Sequence, residues 1–392
     1  MKMVNQTADS VCILAEHLID GTGKSPADNI LIHIQHGYIV SCLPTDKVQI
    51  PPSTHVIDLQ GQWVLPGLID THVHIWGLSP EDLNPSPIEV RTVQAQNQLH
   101  ELLLSGFTTV RDLGSPLDLA LRDAITAGKL PGPRILAAYA GLTGPTGPWL
   151  IPQPAWWESR VVRGTAQAAD AVRRLVDEGV DVIKIGASTG LGEQAWGTIP
   201  TLTVTEIQAI SNTAHTLGLP VAAHAIGSEA VRRVIIGGVD TVEHAYYLDD
   251  ATSALIAEHG TWVIPTLRTR HARHTPEAIE TAHHQLQALS RNVTAGVNIA
   301  AGTDSVGDQY TPHGPGNALE IALLGKRLAP HAAILTATRD AARAIGLGEN
   351  IGTIEPGKCA DMIAVGEDPM LNLNALQDIK FVMQNGQVIR SD

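Results

Sequence analysis

From Trp63 to Ala301 the chain passes through eight short apolar runs separated by stretches of helical spacing. That alternation restricts it to a parallel sheet with helical crossovers. The runs are Trp63 to Ile69, Thr108 to Val110, Arg134 to Tyr139, Asp181 to Ile185, Pro220 to Ala223, Thr241 to Glu243, Trp262 to Ile264 and Asn298 to Ala301. Between them, Ala166 to Glu178 and Thr205 to Leu217 carry apolar residues at helical spacing, with Thr205 a candidate cap for the second. Eight strands favour an α/β chain closed into a (β/α)8 TIM-type barrel. An open doubly wound sheet is the alternative, but no G-x-G-x-x-G or Walker loop follows the early strands to cradle a phosphate.

The 392 residues suit one barrel of roughly 250 to 300 residues plus a smaller module. That module shows at both ends. Val11 to Leu14, Ile30 to Ile34 and Tyr38 to Val40 read as short strands, and Asp361 to Val365 and Phe381 to Ile389 repeat the texture near the carboxyl end. Neither end has enough strands for a core of its own. The two are therefore expected to pair as a small composite β-sandwich, residues 1–65 with 350–392, beside a barrel of residues 66–349.

A formal charge of -14 without clusters of Lys and Arg argues against a nucleic-acid partner, because phosphate binding needs a concentrated basic surface. No apolar run reaches the ~18 residues of a membrane span, and no basic segment followed by an apolar one opens the chain. No membrane association and a cytoplasmic location are expected. Cys12, Cys42 and Cys359 follow no C-x-x-C spacing, which fits reduced thiols without a catalytic role.

In such a barrel the chemistry sits at the carboxyl ends of the strands. The first run ends in His72 and His74, which share a strand face by alternation and could hold one metal ion. Two loop histidines are the plainer reading. Lys184 lies inside Val182-Ile183-Lys184-Ile185, where a bare ammonium would carry a large desolvation penalty. Either a buried carboxylate pairs with it, or its amine has taken up carbon dioxide to give a carbamate able to bridge two metal ions. His224 and His244 sit directly after later runs in the same relation as His74, and Asp304 too closes a buried run. Each alone could be structural, a satisfied histidine or a helix cap. Ser305 beside Asp304 lacks the G-x-S-x-G elbow of a serine hydrolase.

Taken together these residues resemble the amidohydrolase superfamily, in its binuclear carboxylated-lysine branch. The Pro66-Gly-Leu-Ile-Asp-Thr-His-Val-His74 segment and the Gly352 to Met362 segment, Gly-Thr-Ile-Glu-Pro-Gly-Lys-Cys-Ala-Asp-Met, carry the likeness. Within it, Ile183 to Ser188, Glu243 to Asp250, and Gly302 to Ser305 followed by His313-Gly314 are most similar to the imidazolonepropionase-related prolidases and Xaa-Arg dipeptidases. The resemblance implies two divalent metal ions, zinc by default. His72, His74 and Asp304 would hold the more buried ion and His224 and His244 the other, with Lys184 as a bridging N6-carboxylysine. It further implies amide hydrolysis by a hydroxide of the binuclear centre, with Asp304, Lys184 and His244 as catalytic groups and Asp304 carrying the proton to the leaving amine.

The substrate implied is a small molecule, a dipeptide or N-acyl amino acid. Esters, lactones or phosphotriesters at the same site are the alternative, as is mononuclear deamination or cyclic-imide hydrolysis. A homo-oligomer is expected by the same resemblance. Substrate contacts are sought in Tyr246, Tyr247, His313, Thr146 and Trp149, with Trp156 and Trp157 in the same Gly- and Pro-rich insert. Where many relatives carry a Gly-Gly-His-Gly loop, this chain reads Leu142-Thr-Gly-Pro-Thr-Gly-Pro-Trp149, without the histidine. The basic run Arg268, Arg270, His271, Arg273 and His274 is expected on a solvated helix face, as is the His283-His284 pair.

Overall fold

The computed structural model describes residues 10–50, 54–75, 87–148, 160–190 and 198–392. Its strands are Ser10–Leu18 (β1), Ala27–Gln35 (β2), Tyr38–Pro44 (β3), His55–Pro66 (β4), Leu68–Val73 (β5), Phe107–Asp112 (β6), Arg134–Ala137 (β7), Gly141–Thr143 (β8) and Arg160–Val161 (β9). Next come Ile183–Gly186 (β10), Val221–Ala225 (β11), Thr241–His244 (β12), Trp262–Ile264 (β13), Asn298–Ile299 (β14), Met362–Val365 (β15), Ile379–Gln384 (β16) and Gln387–Ser391 (β17).

Strands from both ends of the chain share one seven-stranded sheet, in the order β17-β16-β15-β4-β1-β2-β3. β4 is the join. It runs parallel to β1, with Ile13 opposite Ile57, and antiparallel to β15, with Val64 opposite Ala364 and Pro66 opposite Met362. One apolar cluster gathers Ile13, Ile32, Val64, Met362, Ala364 and Phe381 from both ends. The run Trp63 to Ile69 is thus two strands rather than one, because an apolar pattern records burial and not a change of partner. The change happens at Gly67, whose N–H donates to Asp361 O at 2.9 Å. A Cβ there would lie 2.3 Å from Thr108 Oγ1, so a side chain would wedge the crossing apart.

Every other predicted run also contains a strand, and all of them pair in parallel: β5-β6-β7 in one sheet and β14-β13-β12-β11-β10-β8-β9 in another. The predicted strand Arg134 to Tyr139 stops early, because Tyr139 adopts a φ of 59°, which extended backbone cannot continue through. The chain resumes as β8, which pairs with β10. Backbone hydrogen bonds cross between the two sheets at both seams, from Thr71 N to Ala301 O (3.1 Å) and from Asp181 N to Ala137 O (2.8 Å).

Helices cover the outer faces of the parallel strands. Gly164–Glu178 buries Ala168, Ala171, Val172 and Leu175 at helical spacing against Ile183 and Ile185 of β10. Each fully buried Val or Leu contributes about 1.5–3 kcal/mol of apolar transfer. With Ile183 and Ile185 facing outward, alternation turns Lys184 to the opposite face. Helix Val204–Thr216 starts one residue before Thr205. Its cap is Thr203, whose hydroxyl accepts from Glu206 N at 3.3 Å while the Glu206 carboxylate accepts from Thr203 N at 2.9 Å. That reciprocal box outcompetes a cap at Thr205. No helix among the described residues is long and apolar enough to cross a membrane. Cys12, Cys42 and Cys359 are all free thiols.

Candidate active site

Four histidines, one lysine and one aspartate meet at the carboxyl ends of these strands. His72 is the penultimate residue of β5 and His74 lies just beyond the strand, and alternation points both rings the same way. Their Nε2 atoms lie 3.3 and 3.4 Å from the same Asp304 Oδ1. Ligand atoms of His72, His74 and Asp304 all fall within 4.8 Å of one another. His72 is also 5.3 Å from His244, and His244 is 4.6 Å from His224, ring centre to ring centre.

Register explains part of this convergence. β10, β11 and β12 place Gly186, His224 and Glu243 side by side, two residues beyond the row of Lys184, Ala222 and Thr241. Lys184, His224 and Glu243 therefore share a face. His244 stands one position further, where alternation alone would aim it away. Its φ of 75° breaks the alternation and brings the ring back. Asp304 does the same with a φ of 52°. Non-glycine residues rarely adopt this region, and such conformations persist where surrounding contacts enforce them.

Each histidine is oriented from behind. Nδ1 of His72 bonds to Glu243 Oε2 at 2.8 Å, Nδ1 of His74 to Gly114 O at 3.0 Å, and Nδ1 of His244 to Thr266 Oγ1 at 2.8 Å. Anchoring Nδ1 in this way leaves Nε2 as the atom that could coordinate a metal ion. His224 makes a backbone hydrogen bond with Gly190, yet its Nε2 is buried without a hydrogen-bond partner. A buried polar nitrogen with no partner is costly in a finished protein interior. A metal ion would satisfy it, so the donor set fits a metal centre.

Electrostatics point the same way. Burial pushes the Lys184 amine down to about 8, although Glu243 and Asp304 pull it upward. Burial and the Lys184 charge bring His224 down to about 3, and burial with His224 holds His244 well below an ordinary imidazole. Both stay neutral, the form in which an imidazole can bind a metal ion. Burial disfavours the Asp304 anion, but His72 and His74, both hydrogen-bonded to it, outweigh it and hold the carboxyl well below its usual range. Burial likewise opposes charge on His74, yet Asp304 and Asp112 raise its pKa.

Other residues behind the cluster went unnoticed in the sequence. Arg111, only 1 % exposed, donates from Nη2 to Glu243 Oε1 at 2.9 Å, from Nη1 to Thr241 Oγ1 at 3.1 Å and from Nε to Thr71 O at 2.6 Å. Arg111 directly follows one apolar run and Glu243 ends another, a signal close to the one that marks Lys184. Asp70 accepts from Thr303 N (2.9 Å), Thr303 Oγ1 (2.7 Å) and Asn317 Nδ2 (2.8 Å), tying β5 to the segment that carries Asp304.

The expected substrate contacts divide. His313 reaches the cluster, with Nε2 donating to His74 O at 3.1 Å. Tyr246 is buried and its hydroxyl is hydrogen-bonded by Arg270, while Tyr247 packs against the His284 ring at 4.4 Å. Thr146 is exposed in the loop after β8. Trp149, Trp156 and Trp157 lie outside the described residues. The basic run does not form a solvated face: Arg268 and Arg270 are buried, because each finds buried partners that a surface helix would not offer. His283 is exposed, whereas His284 is half-buried.

Residues 63–390 match the Amidohydrolase family. In structure the chain is similar to a Xaa-Pro dipeptidase crystallised with methionine in its active site, at a TM-score of 0.89 and 29% identity over 97% of this chain and 100% of that one. In sequence it is 27% identical to the imidazolonepropionase of Symbiobacterium thermophilum, covering 83% of this chain and 81% of the relative. It is also 25% identical to the 5-methylthioadenosine/S-adenosylhomocysteine deaminase of the same organism, covering 90% and 84%.

Proposed function

The chain belongs to the amidohydrolase family and is a hydrolase acting on C–N bonds, and from that premise we propose that it cleaves the amide of a dipeptide or N-acyl amino acid at a binuclear metal centre. The observation that carries this reading is the placement of Lys184, buried and only 2 % exposed, on the face that also carries His224. His72, His74 and Asp304 would hold one ion, His224 and His244 the other, and a carboxylated Lys184 both. Bound there, divalent ions, zinc by default, would polarise the carbonyl and make a water molecule acidic enough to attack near neutral pH.

The chain's own residues do the rest. An amine with a pKa near 8 keeps a reactive neutral fraction at physiological pH. That amine adds carbon dioxide, releases one proton and becomes an anionic carbamate. The conversion removes a buried positive charge and supplies two oxygen ligands. Asp304 starts as the anion, held so by His72 and His74, and is ready to take the proton of the attacking water and pass it to the departing nitrogen. His74 and Asp304 are the partly open members of the trio, with side chains 15% and 22% exposed, so the substrate carbonyl would approach from their side.

We read the two parallel sheets as one closed (β/α)8 barrel spanning 66–349, supported by the hydrogen bonds at both seams. The terminal sheet would be its companion, a composite β-sandwich of 1–65 and 350–392. A homo-oligomeric cytosolic enzyme acting on small molecules is the setting we propose for it.

Amine release by zinc-loaded protein, prepared with bicarbonate and offered a panel of dipeptides and N-acyl amino acids, tests the proposal. Turnover of a coherent subset, abolished by a chelator, supports it. Silence from a fully metallated sample rejects it. A mononuclear centre acting on a cyclic amide or an amino-purine is the second reading. It is favoured by the tight trio of His72, His74 and Asp304 and by the relatives named imidazolonepropionase and deaminase. One metal per chain together with turnover of such substrates would select it.

A further inference from the structure

Asp304 lies in the left-handed backbone region at a φ of 52°, and something must keep it there. Its own N–H donates to His72 O at 2.7 Å, and His74 N donates to Ser305 O at 2.9 Å. These contacts hold the backbone on one side of the turn. The hydroxyl of Ser305, the next residue, is taken by Arg268 Nη1. We propose that Arg268 is a positioning residue for Asp304, a buried clamp that sets the aspartate's geometry toward the metal centre without touching substrate or metal.

The geometry of the fork supports this. Besides Ser305, the Arg268 guanidinium donates from Nη2 to Pro312 O at 2.8 Å and from Nη1 to Asn317 Oδ1 at 3.4 Å. One side chain thus gathers the start, middle and end of the 304–317 segment, which also delivers His313 to His74. The root of the clamp is fixed as well. Glu320 accepts from Arg268 N at 2.7 Å and from Leu267 N at 3.0 Å, which anchors the segment that follows β13. Gly316 leaves room for the fork, since a Cβ there would lie 2.7 Å from Arg268 Nη2. Only a planar guanidinium can serve several acceptors in fixed directions at once; a lysine ammonium keeps the charge and loses the fork.

The inference rests on the reading of Asp304 as a metal ligand, and the probe is Co2+ added to the metal-free full-length protein, with affinity and visible absorption recorded. Arg268→Met and Ser305→Ala should each weaken Co2+ binding roughly 10- to 100-fold, the range for groups that orient metal ligands, and shift the absorption bands. Arg268→Lys should fall between. The double variant should be no worse than the poorer single one, since both changes cut the same link. In an amide assay, kcat should fall more than KM changes.

Arg134→Met, which removes an arginine clamp far from the cluster, controls for general loosening and should bind Co2+ like the parent. Wild-type affinity and spectrum in Arg268→Met, or additive losses in the double variant, would overturn the proposal. If Arg268→Met does not fold, Ser305→Ala decides: unchanged Co2+ binding there refutes the clamp. A parent chain that takes up no Co2+ overturns both the clamp and the metal reading. Strong Co2+ uptake without amide turnover rejects the substrate class and leaves the clamp standing.

Discussion

Two arginine–carboxylate networks anchor this molecule, and they differ in what surrounds them. Arg111 and Glu243 lie beneath the histidines with side chains 1% and 0% exposed, and Glu243 spends its second oxygen on His72. Arg134 and Asp361 lie at the join between parallel strands and terminal sheet, 27% and 4% exposed, with Thr109 and Asn385 as further partners of the arginine. The chemistry is the same and the consequence is not. A fully buried pair is sensitive to the loss of either member, because the survivor keeps an uncompensated charge. A pair that water can reach has a cheaper alternative. The inner network orients the His72 ring; the outer one holds sheets together.

Lys184→Ala should produce the largest effect. Turnover should fall on the order of 10^3-fold or more, with loss of at least one bound metal equivalent by elemental analysis. Full activity with intact metal content would remove the bridging role. Glu243→Gln attacks the inner network directly, leaving Arg111 buried without its counter-charge. Urea denaturation should show a loss of about 3–5 kcal/mol, and metal titration a weakening of about 10- to 100-fold.

Acid should act on the cluster more gradually. In the folded metal-free protein His224 stays neutral down to about 3, whereas in the unfolded chain an imidazole takes a proton near ~6.5. Between these values the unfolded state binds more protons, so stability falls as pH drops from about 6.5 toward 3. Removing the imidazole in His224→Leu should flatten that decline by a few kcal/mol, on the order of 1.4 kcal/mol for each pKa unit. Arg134→Met should have the smallest effect, about 1 kcal/mol in denaturation, with metal binding unchanged. If it weakened metal binding as Glu243→Gln is expected to, the distinction between the two networks would fail.

Much of this layout was legible in the chain. Short apolar runs located the parallel strands because a strand buried on both faces needs little but apolar residues. His72, His74, Lys184, His224, His244 and Asp304 were found because each interrupts or ends such a run. Phase along the strands is less legible than their position. His224 pairs in register with Glu243, not with His244, and a residue in the left-handed region cannot be located from alternation. Thr203 in place of Thr205 shows the same limit at a helix start, where two candidates two residues apart are separated only by which one Glu206 can reach.

The order of apolar and polar residues alone determined which segments become strands, which helical faces are buried, and which polar side chains stand at strand ends. Those choices depend on short-range periodicity and on the penalty for burying polar groups, both of which are local to the sequence. Tertiary structure decided the remainder. It joined β4 to strands from both chain ends, buried Arg268 and Arg270 in a stretch that reads as a solvated helix, and placed Glu243 and Arg111 behind His72, whose ring bonds a carboxylate 171 residues away. Such partners are chosen by distance in space and by the need to satisfy every buried charge, and neither is written in neighbouring residues.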